Sequence, residues 1–384
     1  MEFSYVLPCL NESSTLEYCI TQIREGADRA GIDSYEIIVS DNGSDDGSQD
    51  IAQQQGARLI EVEHRGYGAA LQAGINAANG RYAIMGDSDA TYDFSEVMEF
   101  VQALRAGSAL VIGSRLRGEI KKGAMPILHR WLGNPILTRI ANMFFGTRLS
   151  DYHCGLRGFE RDAILSLDLK TTGMEYASEM IIRAALTKLP IVEVPITYYP
   201  DQRNRPPHLR TWRDGWRHLR FLLLFSPDWV FLYPGLVLMI AGLAFSAILL
   251  VGPFELGGVT LDVHTLLFSA TMLVLGTQLV LLAILTKTYA SHTGLLPGST
   301  RLTAALDAFS LEIGLAAGLA VLLLGFAMYG IGFYQWSQIE FGEISNYAST
   351  LRFSIAGTTL VAIGGMLFFG SFVISLLGFQ VETQ

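Results

Sequence analysis

Hydrophobic and polar positions in the first half of the chain follow two periods in turn. Short β-type runs at 3–7, 36–40, 58–63, 81–86 and 110–113 read as strands. Between them Leu16, Ile20 and Ile23 recur at helical spacing, residues 47–55 form a second helical segment, and the alanine-rich 68–78 closes at Gly80, so three helices are predicted. Strands alternating with helices predict a mostly parallel, doubly wound α/β sheet, in which ligands bind beyond the carboxyl ends of the strands.

From residue 229 the pattern changes to four long apolar stretches, at 230–251, 266–286, 313–334 and 355–377. Each matches the roughly 20 residues needed to cross a ~30 Å hydrocarbon core. The chain is therefore expected to divide into an α/β domain at 1–209, a basic amphipathic juxtamembrane segment at 210–228 and an all-α membrane domain of four transmembrane helices at 229–384. The composition agrees: 384 residues that are 50% hydrophobic and 16% charged, with mean hydropathy +0.34, are too long and too apolar for one soluble domain.

The joints between the spans set an expected orientation. Glu255 and Asp262 occupy the first joint and Glu340 and Glu343 the third, whereas Lys287, His292 and Arg301 occupy the middle one. The positive-inside rule places the middle joint and both termini in the cytoplasm. Arg352, at the outer end of the fourth span, is the exception, and is expected to snorkel to the headgroups. Residues 1–10 carry Glu2 and no basic region before an apolar run, so no signal peptide is expected and the α/β half is expected to stay cytoplasmic. The spans hold almost no ionisable residue, which weighs against an ion-coupled transporter.

Charge and cysteine content exclude further classes. A net charge of −9 and a pI of about 5.3 argue against a nucleic-acid partner, which requires a basic footprint. Cys9, Cys19 and Cys154 are an odd set without C-x-x-C spacing, so neither a disulfide framework nor a structural zinc site is indicated, and reduced thiols are expected.

Candidate chemistry lies at the strand ends. The first strand runs into Pro8-Cys9-Leu10-Asn11-Glu12, the second into Ser40-Asp41-Asn42-Gly43-Ser44-Asp45-Asp46, and the fourth into Gly86-Asp87-Ser88-Asp89. Gly66-Tyr67-Gly68 meets Leu71 where a dinucleotide fingerprint needs its last glycine, and no G-x-x-x-x-G-K-[ST] run is present. Asp87 and Asp89, two apart in extended chain, project to one side and outline a site for Mg²⁺ or Mn²⁺, whose shell substrate phosphate and water would complete. Asp41 is placed to accept from a nucleobase N–H; its alternative use is to cap the following helix.

Together with Gly66-Tyr67-Gly68-Ala69-Ala70-Leu71, these motifs resemble the inverting family-2 glycosyltransferases of GT-A fold. Gly113-Ser114-Arg115 and Asp151-Tyr152-His153-Cys154-Gly155-Leu156-Arg157 narrow the resemblance to the polyprenyl-phosphate sugar synthases, the branch similar to dolichyl-phosphate mannose synthase. It covers about residues 3–200. The chain departs from the usual pattern at Ala90-Thr91-Tyr92, where Leu-Gln or Leu-Glu normally follows the acidic pair, and at 202–210, where a Gly-Glu-Ser-Lys-like segment is replaced. The resemblance implies a nucleotide-sugar donor, UDP-hexose or GDP-mannose, held by Pro8, Asn11, Glu12, Asp41, Gly68, Asp87 and Asp89. It implies Asp87 and Asp89 as metal ligands and, with Arg115, as catalytic residues.

A polyprenyl phosphate acceptor is largely dianionic at neutral pH, its second pKa being ~6, and needs no general base. Arg115, Arg130, Arg139 and Arg157 are the candidates to hold it. Arg130 and Arg139 lie in the amphipathic stretch 125–145, with Ile127, Leu128, Trp131, Leu132, Ile136, Leu137, Ile140 and Phe144, which reads as an interfacial helix against membrane lipids or as an ordinary core-packed one. Arg203, Arg205, Arg210, Arg213, Arg217 and Arg220 form a second basic run. The leading expectation is inverting transfer of a hexose, UDP-glucose being the first choice of donor, to undecaprenyl-type phosphate. The alternatives are transfer to a lipid or glycan hydroxyl, against whose processive form Ile127 stands where Q-x-x-R-W requires Gln, and a non-catalytic flippase or scaffold for lipid-linked sugars. A homo-oligomer is compatible with each.

Overall fold

In the computed structural model, residues 1–202, 211–296, 310–343 and 347–378 are described. Arg203, Arg205 and Arg210 of the basic run, Arg301 of the middle joint and the expected 209/210 boundary lie outside them. Two compact units emerge, Met1–Leu222 and Leu223–Gln384, and the expected juxtamembrane segment straddles their division.

The first unit runs β1 (Phe3–Cys9), α1 (Leu16–Arg29), β2 (Tyr35–Asp41), α2 (Ser48–Gln54), β3 (Arg58–Glu61), α3 (Tyr67–Ala77), β4 (Tyr82–Met85), α4 (Met98–Arg105), β5 (Leu110–Ile120), α5 (Asn134–Phe145), β6 (Arg157–Glu160), α6 (Arg161–Leu165), α7 (Tyr176–Leu186), β7 (Ile191–Tyr198) and α8 (Thr211–Leu224). Its seven strands order as β3-β2-β1-β4-β6-β5-β7. Every residue of β1 is buried, as befits a strand covered on both faces. Helix α1 turns Leu16, Cys19, Ile20, Ile23 and Ala27 inward, the 3.6-residue stripe that the sequence carries.

All pairings are parallel except those of β6, which is antiparallel to both β4 and β5. The sequence reading did not include β6 or β7. Strand β6 is four residues long, and a run of that length containing Arg157 and Gly158 carries no period of its own.

The second unit contains α9 (Tyr233–Val251), a hairpin of β8 (Phe254–Leu256) and β9 (Val259–Leu261), α10 (Val263–His292), α11 (Leu311–Ser337) and α12 (Tyr347–Gly378). Four helical segments, Asp228–Val251, Val263–His292, Leu311–Ser337 and Tyr347–Leu377, are long and apolar enough to cross a membrane, at the four predicted places. Helices α9 and α10 touch backbone to backbone: a Cβ on Gly276 would lie 2.5 Å from Met239 N, and one on Gly242 2.6 Å from Leu273 N. Such contacts let transmembrane helices pack where lipid supplies no hydrophobic drive. Ion pairs mark the two ends of α10. Lys287 Nζ lies 2.9 Å from Asp228 near one end, and Arg352 pairs with Asp262 at the other.

Candidate active site

Sheet register gathers the strand-end motifs. Cys9 stands opposite Asp41 and Val6 opposite Met85, so Pro8, Asp41 and Asp87-Ser88-Asp89 share one edge of the sheet. Strand β6 runs the other way, so its first residue, Arg157, opposite Met85 and Ile112, reaches that same edge, toward which β5 carries Arg115.

Side chains tie the loops together there. Asn11, at φ 59°, donates its N–H to Ser44 Oγ (2.9 Å) and accepts from Asp45 N–H at Oδ1 (2.9 Å). The N–H of buried Glu12 donates to Ser48 Oγ (2.9 Å). Ser88 Oγ donates to the Pro8 carbonyl (2.7 Å) and Thr15 Oγ1 to the Ser88 carbonyl (2.6 Å). Asp41 is asymmetric. Its Oδ2 accepts from Gly43 N–H (3.1 Å), Ser44 N–H (3.0 Å) and Gln49 Nε2 (2.6 Å), whereas Oδ1 is buried with no hydrogen-bond partner among the described residues. A buried acceptor left unmade is costly, and an incoming N–H donor relieves that cost.

The acidic pair is oriented by neighbours. Tyr67 Oη donates to Asp87 Oδ1 (2.8 Å); burial, with the Asp87 carboxylate beside it, pushes the phenol well above its ordinary pKa, so it stays a donor. Asp89 Oδ1 accepts from Thr91 N–H (3.1 Å) and Thr91 Oγ1 (2.6 Å) across Ala90, at φ 61°. Among the described residues no group of three or more His, Cys, Asp or Glu forms a ready-made metal cage. Two hard carboxylates at one strand end nonetheless fit Mg²⁺ or Mn²⁺, which commonly take one or two protein carboxylates and complete the shell with phosphate and water. Gly68 has a packing reason: a Cβ there would come within 2.7 Å of Thr171 O and of Tyr176 Cβ.

The four arginines expected at the acceptor phosphate separate. Arg157 is 0% exposed, and its guanidinium donates to the carbonyls of Cys154, Ala177 and Tyr152. An acceptor-facing role for Arg157 does not fit this burial: three of its five N–H donors go to main-chain carbonyls, and burial lowers its pKa. Arg115 is buried in a bidentate pair with Asp151, Nε at 2.6 Å and Nη2 at 2.8 Å, with its guanidinium over the Tyr198 ring. Burial opposes its charge, and Asp151 more than offsets this, holding the arginine well above its ordinary value. Arg130 and Arg139 are exposed. Around them Ile127, Leu128, Trp131, Leu132, Ile136 and Met143 are also exposed, while α5 buries only Thr138 and Ala141.

Sequence reasoning gave no role to Tyr67, Thr91 or Asp151, although each stood inside or beside a motif. Their partners are the signal. Thr91 lies two residues after Asp89, but Tyr67 and Asp151 meet their partners 20 and 36 residues away in sequence. The three cysteines are free and buried.

Residues 4–167 match the model of glycosyl transferase family 2, and residues 284–378 that of the glycosyltransferase family 2 C-terminal transmembrane region. The low-salt glycan biosynthesis hexosyltransferase Agl6 of Haloferax volcanii is 37% identical over 98% of this chain and 89% of its own length. A dolichyl-phosphate hexose transferase of the same organism is 34% identical over 47% of this chain and 78% of its own. The structure of M. tuberculosis glucosyl-3-phosphoglycerate synthase with Mn²⁺, UDP and glucosyl-3-phosphoglycerate is 23% identical, covers 58% of this chain and 77% of that one, and has a TM-score of 0.45. With acidic strand ends gathered on a mostly parallel sheet, four apolar helices behind it in sequence, and a relative matched along nearly its whole length, the chain belongs to glycosyl transferase family 2.

Proposed function

We propose that the protein transfers a hexose from a nucleotide sugar, UDP-glucose first among donors, to a polyprenyl phosphate, inverting the anomeric carbon. The observation that carries the reading is Asp41: a buried carboxylate oxygen without a partner among the described residues, on the edge that holds Asp87 and Asp89, fits the N–H of a donor base. The likeness to the hexosyltransferase Agl6 and to a dolichyl-phosphate hexose transferase supports both the transferred group and the class of acceptor. In this reading Asn11, Glu12 and Asp41 bind the nucleoside side, and Asp87 and Asp89 hold the cation at the diphosphate. A divalent cation bound there supplies Lewis-acid stabilisation of charge on the leaving diphosphate. The acceptor phosphate attacks as an oxyanion, so the chain need not provide a base.

The acceptor side rests on α5 and the π-helical segment His129–Gly133 that leads into it. Exposed Trp131, Ile127 and Leu132 enter the headgroup layer, and Arg130 and Arg139 meet phosphate there. Arg115 acts through its bidentate pair with Asp151, fixing the connection between α5 and β6. The test is mass spectrometry of the lipid product after incubating the purified protein with a panel of nucleotide sugars and a polyprenyl phosphate. A β-linked hexosyl phosphate lipid from an α-linked donor is expected. Transfer to a polyprenol or diacylglycerol instead would move the assignment to a hydroxyl acceptor, and an α-linked product would exclude a single displacement.

A further inference from the structure

Asp87 is bonded by one residue remote in sequence and closely approached by another. On one side Tyr67 Oη donates to Oδ1 at 2.8 Å. The loop that delivers the phenol is itself fixed: Gly66 sits at φ 149°, a Cβ there would lie 2.2 Å from the Thr172 carbonyl, and its N–H donates to Asn42 Oδ1 at 2.7 Å. Asn42 is in turn held through Nδ2 to the His64 carbonyl (2.9 Å). On the other side stands Gly155, where a Cβ would come 2.9 Å from Asp87 Oδ2 and 3.1 Å from Tyr92 Oη. The Gly155 N–H donates to that Tyr92 hydroxyl at 2.8 Å. Asp89, by contrast, is oriented by its own near neighbour Thr91. A phenol suits the position by charge: it fixes a carboxylate with one hydrogen bond and leaves the carboxylate's negative charge in place, whereas Lys or Arg would cancel it.

We infer that Tyr67 is a positioning residue that holds the Asp87 carboxylate in its cation-receiving orientation, so that it sets the affinity of the site for a divalent cation without touching the cation. The inference rests on the reading of Asp87 and Asp89 as the cation-holding pair. It is tested on the full-length protein in nanodiscs with saturating UDP, by titrating Mn²⁺ and following the free ion by electron paramagnetic resonance. Wild type, Tyr67→Phe and Asp89→Asn are compared. Tyr67→Phe keeps the ring and removes one hydrogen bond that orients a carboxylate, so Mn²⁺ binding about tenfold or more weaker is expected, with the fold retained by circular dichroism and turnover restored by raising Mn²⁺. Wild-type affinity in Tyr67→Phe, with binding lost in Asp89→Asn, overturns the role of Tyr67 and leaves the cation reading standing. Absence of Mn²⁺ binding in wild type, or undiminished binding in Asp89→Asn, overturns both. Should Tyr67→Phe not fold, Tyr67→Met removes the same hydroxyl with a flexible apolar side chain in place of the ring. Mn²⁺ binding about tenfold weaker there supports the role of Tyr67, and wild-type affinity overturns it.

Discussion

At the scale of single residues, the site combines carboxylates that are oriented with a histidine that cannot easily charge. His153 lies in the segment that leads into β6, with its ring 4.7 Å from that of His218 and its Nδ1 without a hydrogen-bond partner among the described residues. Burial first, then the charge of His218, pulls its pKa down to about 3; Asp151 opposes this, and Arg115 and Arg157 add to it. A histidine with a depressed folded pKa binds fewer protons than the unfolded chain below the ordinary value of ~6.5. Stability is therefore intact above that value and is lost as pH falls toward about 3. Thermal melts from pH 7 to 4 should fall more steeply for wild type than for His153→Gln, by at most ~1.4 kcal/mol per pH unit; parallel curves would show that the imidazole is not responsible. Asp41 supports a second test. Asp41→Asn should weaken UDP binding about tenfold, the scale of one hydrogen bond to a charged group, and unchanged binding by calorimetry would remove the base contact. Asp41, Asp87 and Asp89 were legible because each follows a strand in the sequence itself. The burial of Arg157 was not: an arginine in a motif reads as a cation for phosphate, and only the tertiary fold shows three of its five N–H donors on main-chain carbonyls.

At the scale of elements, the sequence pattern marked β1 to β5 and α1 to α3 and passed over α4, α6, α7, β6 and β7. Strands β1 to β4 and helices α1 to α3 fall within a few residues of their expected places, and β5 begins where expected but runs on to Ile120. Strand β6 escaped because its place between β4 and β5 is decided by its partners. The interfacial stretch was left between two readings by its sequence, and its exposed Trp131 and Ile127, at 72% and 79%, argue against core packing. Arg352, an exception to the charge bias of the joints, has an account at this scale: it pairs with Asp262 at the start of α10. That pair ties α12 to α10 where a lone arginine would sit at the outer end of a span. A double-mutant cycle over Arg352→Ala and Asp262→Ala should give a coupling of about 1 kcal/mol, since the carboxylate is partly exposed. A coupling indistinguishable from zero, read from thermal unfolding in detergent, would reduce the pair to a contact without energetic weight.

At the scale of the whole molecule, the division into an α/β half and a four-span half was legible because hydropathy over some twenty residues is a local quantity. Orientation is a different kind of property, for it depends on which ends of the spans carry cations. The two ion pairs of the membrane unit neutralise one cation at each end of α10, Lys287 with Asp228 and Arg352 with Asp262. The bias that remains in the joints is acidic residues without cations at 255 and at 340–343, against His292 and Arg301 in the middle joint. We expect the middle joint on the cytoplasmic side, and with it the acidic strand ends of the first unit. Cysteines introduced at the exposed Thr260 and Glu343 should then react with an impermeant maleimide added outside intact cells, while one at Thr293 should react only after the cells are opened. The native thiols give a low background, since Cys9, Cys19 and Cys154 are all buried and burial raises the pKa of each, to about 11 for Cys9 and about 12 for the other two. Labelling of Thr293→Cys from outside, with Thr260→Cys and Glu343→Cys protected, would invert the orientation and place the family-2 domain on the side opposite to the one its joints imply.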